Sequence, residues 1–374
     1  MDINKVTKVG IVGGGVSGMT AAIIARKNGA DVTLFELEER LGRKILATGN
    51  GKCNLGNIDT TEGKYNNNFS SYILSEFGID EIRSFLASLG VLTKVVDSRV
   101  FPYSGEATTV QNALRKAIDD LKINVIHEEV FSITPGFKIN DKYTFDKVVL
   151  STGSNASFGK DSTRLLSKLG HNVVKMKPAL VPFISDRKNL KGLRGVRIVA
   201  RAYLIVDGVE VCSELGEVLF KDNGLSGSAI FDLSVKLARL SNPKNVDVRL
   251  DLMPDYSKDQ VEKLVFEIGL NGIFHKELCA NIIRNLKDIG IDDVAKEIKN
   301  YNIKNVKLGP FHLAQIASGG LSEKQFDEKT LESKLHNGLY ATGEALNVDG
   351  ECGGYNLMWA FASGMKVGEM VMKK

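Results

Sequence analysis

A chain of 374 residues, 43% hydrophobic and 25% charged, suits a globular enzyme of two or three domains with ample material for a core. Its net charge of +4 is small, and its Lys and Arg residues are dispersed, so nothing demands a nucleic acid or an anionic membrane as partner, although a local basic groove stays open. No apolar run approaches the length of a membrane span, and the first strand begins too near Met1 for a signal peptide, so a cytoplasmic protein is expected.

The first predicted unit runs from Lys8 to Glu36: an apolar strand, a glycine turn, a helix, a second strand and an acid. Together they read as a dinucleotide site, more specific than three glycines, which alone would equally mark a tightly packed turn. Gly13 permits the sharp exit from the strand, Gly15 lets a pyrophosphate approach the backbone, and Gly18, beside Ser17, lets the helix lie close on the sheet. The free amides at the helix start and its dipole attract phosphate. Glu36 can accept hydrogen bonds from ribose hydroxyls and would repel a 2′-phosphate. The unit does not decide between NAD and FAD.

Gly42–Asn54 has neither helical nor strand period and reads as a long, functional loop. Helical patterns follow at Tyr72–Leu89 and Thr108–Leu121, separated by a strand-like Val91–Val96 and the turn Phe101–Gly105. Ile123–Ile126 is predicted as a strand, then Val130–Ile133, Phe137–Ile139 and Tyr143–Phe145 as a meander. Lys147–Gly153 is a buried strand ending in Thr152-Gly153, a second ligand-facing strand end. From about Pro178 the character changes. Arg197–Val206, Val209–Cys212 and Val218–Phe220 read as strands, and helix-like patterns dominate from Ala229 to Tyr301, which together suggest an inserted domain. Near Phe311 the chain returns, because Leu339–Gly343 repeats the strand-then-Thr-Gly pattern. A glycine-rich turn and a helical run from about Asn356 complete it.

The four cysteines, Cys53, Cys212, Cys279 and Cys352, and the five histidines show no metal-ligand spacing. Cys53 and Cys352 lie inside ligand-facing motifs. A dithiol relay over the cofactor and a pair of inert buried thiols are the two readings.

Taken together, Gly42–Asn54, Arg99–Pro102, Gly224–Gly227, Ala317–Ser322 and Leu339–Leu357 resemble the aminoacetone-oxidase family of FAD-binding flavoproteins, which includes bile-acid flavoproteins. The likeness runs from the first strand to the last helix. It implies an α/β fold: a Rossmann-like FAD-binding domain of the two-dinucleotide-binding-domain type, from residues 1–178 and 313–374, with an inserted domain at 179–312. That insert is expected to be β-barrel-like over about 179–228 and helical over about 229–312. FAD would then occupy the opening site. The length of FAD argues the same way, because its isoalloxazine needs a second, sequence-distant segment, which Thr342–Asn356 offers.

In that segment Gly343 and Glu344 are expected to bind the cofactor, Gly353 and Gly354 permit close backbone approach, and Tyr355 and Asn356 supply the first amides of a helix able to stabilise charge at the flavin N1–C2=O edge. A turn that merely caps the helix is the alternative. Asp349 is expected, by resemblance and position, to bond the ribityl or pyrophosphate region. Arg43 and Lys44 are placed over the pyrophosphate, with pairing of Arg43 to Glu38 or Glu39 as the other reading. Asn50, Gly51, Cys53 and Asn54 would line the flavin pocket through backbone amides. Val130 in the family contacts adenine through its main chain, and a buried β residue explains it equally well. The chain departs from the family at Phe220–Asn223, which lacks a histidine, and at Ser228 in place of proline.

No second three-glycine fingerprint exists, so NAD(P)H is expected only as a transient co-substrate at the flavin face. The Gly153–Lys160 segment has the wrong spacing for a nucleotide-phosphate loop. The leading expectation is a hydride transfer between flavin and a small-molecule substrate. The alternatives are a flavoprotein acting on RNA through Arg187, Arg194, Arg197 and Arg201, and a non-catalytic flavin-binding regulator.

Overall fold

The computed structural model describes residues 6–59, 62–157, 159–160, 163–186, 190–286 and 290–373. It divides into two compact units, 1–177 with 315–374, and 178–314.

The first unit is built on a five-stranded parallel sheet. Its strands are β1 (Lys8–Val12), β2 (Asp31–Glu36), β3 (Asn124–His127), β4 (Lys147–Leu150) and β5 (Leu339–Ala341). Their order is β5-β4-β1-β2-β3, every neighbour parallel. The central strands read as unbroken apolar runs because both faces are covered: Val9, Ile11, Val148, Val149 and Leu150 are fully buried. Three helices position the site: α1 (Val16–Lys27), α2 (Ala107–Asp120) and α3 (Tyr355–Met370). In α2 the buried Val110, Leu114 and Ile118 recur at fourfold spacing and form one apolar stripe. Between α1 and α3 the contact is close, because Gly364 and Gly368 present no side chain to the backbone of Ser17 and Ala21 or to the side chains of Thr20 and Ile24.

Several elements depart from the sequence-based expectation. The Tyr72–Leu89 pattern is two helices, Ser71–Glu76 and Ile79–Ser88, broken at Gly78, whose N–H donates to Glu81 Oε2 at 2.9 Å and starts the second. The Gly42–Asn54 loop contains a 3₁₀ stretch, Arg43–Gly51, kinked at Thr48–Asn50. The meander is real, but its strands are Ile133–Thr134, Lys138–Ile139 and Tyr143–Thr144. Val130 lies ahead of it in irregular backbone, so the buried-β explanation of Val130 fails. The helix-like run from Ala229 to Tyr301 is interrupted by a strand, Val246–Asp251, whose buried Val246, Val248 and Leu250 alternate with period two.

The second unit carries a seven-stranded antiparallel sheet. It runs in the order Tyr301–Ile303, Val246–Asp251, Arg197–Val206, Val209–Lys221, Gly224–Ser226, Phe183–Ile184 and Lys307–Leu308. The two edge strands are joined by only Lys304, Asn305 and Val306, a connection that spans at most about 14 Å. A flat sheet of this order would hold its edges roughly 29 Å apart. The sheet must therefore curl until its edges meet, which makes it barrel-like. Val306 N–H donates to Val246 O and Ser185 Oγ donates to Lys304 O, both at 2.8 Å, across that closure. Helices Ser228–Arg239, Lys258–Ile268, Lys276–Asn285 and Ile291–Lys299 belong to the same unit.

In the first unit, buried His171 sits 2.8 Å through Nε2 from Ser333 Oγ, with its ring stacked on Phe326 at 5.0 Å and that of His336 5.6 Å away. Burial, then the nearby His336, pushes its pKa from 6.5 down to about 4. The unfolded chain thus binds this proton more readily than the folded one. Stability held above pH 6.5 is lost as the pH falls toward 4, by about 1–2 kcal/mol at pH 5. Urea midpoints at pH 7 and pH 5 should differ less in His171→Gln than in the parent; an equal difference would remove His171 from the acid response.

Candidate functional site

Chain connectivity sends β2 to one side of β1 and β4 to the other, so the strand order reverses beside the carboxyl end of β1. Ligands of open α/β sheets bind at such a switch point. A cavity of about 610 Å³ opens there, and Gly13, Gly15, Ser17, Glu36, Arg43, Lys44, Val130, Thr152, Gly153, Glu344 and Asn356 all line it. The strand ends Val12–Gly13 and Ser151–Thr152 converge because Gly13, at φ +109°, lets them touch: a Cβ there would stand 2.2 Å from Ser151 O. Gly18 is set so close to the turn that its Cβ would stand 1.9 Å from Gly13 O. Gly15, in contrast, has no atom within 4 Å of where its Cβ would be. Its backbone is bare toward the cavity, the cradle that a pyrophosphate needs.

Glu36 is held at the rim by two backbone donors. Gly14 N–H bonds its Oε2 at 2.8 Å and Glu38 N–H its Oε1 at 2.9 Å. Each oxygen keeps a lone pair, so the carboxylate can still accept from ribose hydroxyls. Lys44 bridges the cavity lining: its Nζ is 2.7 Å from Glu344 Oε2 and 3.4 Å from Ser154 Oγ. Glu344 Oε1 accepts in addition from Ala317 N–H at 3.2 Å. Arg43 pairs with Glu38 at 3.0 Å, with both side chains more than a third exposed. So exposed a pair contributes little stability. The charges, the bare turn and the ribose acceptor fit a dinucleotide.

The remaining expected residues fall outside the cavity lining, and most of them brace it. Gly354, the N-cap of α3, packs on the glycine loop: a Cβ there would stand 2.6 Å from Asn54 Oδ1 and 2.8 Å from Gly56. Asn57 Nδ2 donates to Gly353 O at 3.3 Å, and Tyr65 OH donates to Tyr355 O at 2.8 Å. Asn356 ties the turn together, accepting Gly350 N–H through Oδ1 and donating to Gly350 O through Nδ2, both at 2.8 Å. Gly343 N–H donates to Ser363 Oγ at 2.9 Å. Asn54 Oδ1 is buried and finds no hydrogen-bond partner among the described residues.

Asp349 is 1% exposed and accepts from Ser318 Oγ at 3.1 Å, away from the lining. Asn50, at φ +54°, and Gly51 are the tip of the kinked 3₁₀ stretch, equally outside it. Cys53 is fully buried, its thiol pushed up to about 12 by burial. No disulfide joins it to Cys352. A thiol that does not ionise is a poor redox partner, which favours the inert reading.

Sequence reasoning missed other lining residues. Leu357 and Ala360 continue the face of α3 that starts at Asn356, and helical spacing was the signal for them. Ser154, Gln315 and Phe131 carried no such signal.

Three comparisons bear on this site. The model of the HI0933-like protein Rossmann domain family matches residues 7–370. The chain is 31% identical to a 3-dehydro-bile acid delta(4,6)-reductase of Clostridium scindens over 98% of its own length and 99% of the relative's. It is 25% identical to a ribosomal RNA dihydrouridine synthase of Haemophilus influenzae, with 94% and 95% covered. A 3-ketosteroid delta1-dehydrogenase structure from Sterolibacterium denitrificans matches with a TM-score of 0.51 at 11% identity, covering 98% of this chain and 99% of that one, which shows a shared fold.

Proposed function

The chain belongs to the HI0933-like family, and on that premise we propose that it is an FAD-dependent oxidoreductase that reduces a carbon–carbon double bond conjugated to a carbonyl in a small molecule. NAD(P)H would serve as the transient reductant. The observation that carries the reading is that two relatives aligned along almost their whole lengths, a delta(4,6)-reductase and a dihydrouridine synthase, are both named for adding hydrogen across a ring double bond.

When bound, FAD supplies the hydride chemistry, and the protein orients it. The free amides at the start of α1 and the bare backbone at Gly15 would hold the pyrophosphate, with the helix dipole opposing its charge. Glu36 would hold the adenosine ribose. The first amides of α3, at Tyr355 and Asn356, would oppose negative charge at the flavin edge. Asp349 would act from behind the cavity wall through the Asn347–Gly350 turn rather than by touching cofactor.

The purified protein should be yellow, bleach anaerobically with NADPH and recover its flavin bands on addition of a 3-oxo-4-ene steroid but not of the saturated ketone. A colourless protein that cannot be reconstituted with FAD would sink the reading. Action on RNA is the second reading, favoured by the dihydrouridine synthase relative. Of the arginines expected to serve it, Arg194 pairs with Asp222 at 3.2 Å and Arg197 with Glu217 at 3.0 Å, both as exposed pairs. Arg201 is half-buried, and Arg187 lies outside the described residues. Steeply salt-dependent binding to ribosomal RNA would favour this reading instead.

A further inference from the structure

The ladder between β2 and β3 sets Glu36 opposite His127, so the residues after His127 continue past the ribose acceptor, on the side away from Gly13–Gly18. There Glu128, Glu129, Val130 and Phe131 line the cavity without forming strand or helix. Irregular surface backbone is ordinarily the least restrained part of a fold. Here one side chain, Asn140, brackets the stretch from end to end. Its Oδ1 accepts the N–H groups of Phe131 at 3.0 Å and Ser132 at 3.3 Å, and its Nδ2 donates to Glu128 Oε1 at 2.9 Å and Glu129 O at 2.7 Å. The bracket fixes the backbone that carries Phe131, whose ring is 60% exposed at the cavity rim. Covering such a ring with a flat ligand returns free energy in proportion to the apolar area removed from water.

Resting on the FAD reading, we propose that Phe131 stacks on the adenine ring and that Asn140 is the positioning residue that aims it. Stacking suits this place because every purine offers a π face and the contact tolerates partial exposure. The corner would then select an adenosine-bearing flavin over FMN. Among the described residues nothing else at the rim offers an aromatic face to a base: the lining contains Phe35, which is buried in the core, and Phe131.

The test is equilibrium binding of FAD, ADP and FMN to the apoprotein. Phe131→Ala should weaken FAD and ADP alike, on the order of tenfold, leave FMN unchanged, and leave the melting temperature of the unliganded protein unmoved, as for an exposed substitution. Phe131→Trp should restore the affinity. Asn140→Ala should imitate Phe131→Ala, and Asn140→Asp, which keeps the acceptor for two N–H groups, should lose less. ADP binding that ignores Phe131, or an equal loss of FMN, would overturn the proposal. A parent protein that binds ADP in a Phe131-dependent way but takes up no flavin would keep the stack and overturn the FAD reading instead.

Discussion

Gly15→Ala should fold with the parent's thermal stability in the unliganded state and yet lose FAD, whereas Gly13→Val should lose both. Gly15 has an ordinary φ of −73° and no atom within 4 Å of where a Cβ would stand, so a methyl group there meets no protein. What it fills is the approach to the backbone that a pyrophosphate would use. An intrusion of this size costs about 1–3 kcal/mol, or roughly ten- to a hundredfold in affinity. Gly13 is different in kind, because its φ of +109° is strained for any residue with a Cβ, and the added atom would overlap Ser151 O at 2.2 Å. The end of β4 would have to move away from β1. Strain of about 1–3 kcal/mol and overpacking of about the same size add there. Thermal melts without ligand, paired with FAD titration, check both variants. A Gly15→Ala protein that binds FAD as tightly as the parent would show that the cofactor does not approach this turn.

The second large effect is expected where α1 packs on α3. Gly364→Leu would drive a side chain between α1 and α3, where even a Cβ would stand 2.5 Å from Ser17 O and 3.0 Å from Thr20 Cβ. Gly368, one turn later, faces Ile24 Cβ at 2.7 Å, so the helices have no slack along this stripe. Neither neighbour is the end of a flexible chain that can swing away. A loss of about 3 kcal/mol follows, lowering the melting temperature by roughly 6–12 °C for a unit of this size. Urea unfolding should show the loss as a lower midpoint at unchanged slope. Because α1 carries the amides proposed to hold the pyrophosphate, FAD affinity should fall with it. A variant as stable as the parent would mean that the two helices part easily, and the close contact would not be what holds α1 in place.

Much of the cavity was readable in one dimension. The Lys8–Glu36 unit needs only neighbours: strand, turn, helix and acid are joined by short connections, and Glu36 reaches back to Gly14 across 22 residues of one βαβ unit. The buried strands before Gly153 and Gly343 were readable because a sheet covered on both faces leaves uninterrupted apolar runs. Val246–Asp251 was hidden by its helical surroundings, although its alternation was present, and Gly78 split a helix whose periodicity ran straight through it.

Partnerships were the part that periodicity does not encode. Arg43 had two acids or a phosphate open to it, and the folded rim pairs it with Glu38. Lys44 meets Glu344 across 300 residues, a contact made only because β4 and β5 bring their ends to the same edge. Asp349 reads as ligand-facing from its place after a Thr-Gly strand end, yet the turn carries it inward to Ser318.

By itself the sequence determined the dinucleotide turn, the acid that follows it and the apolar strands that carry both, because local backbone geometry and burial periodicity are set by near neighbours. Only the tertiary structure decided which side chains share the cavity, how the second sheet curls shut, and that Asn140 holds Phe131 at the rim. Those depend on strand order and on loops whose partners lie far along the chain, where spacing in sequence carries no information about distance in space.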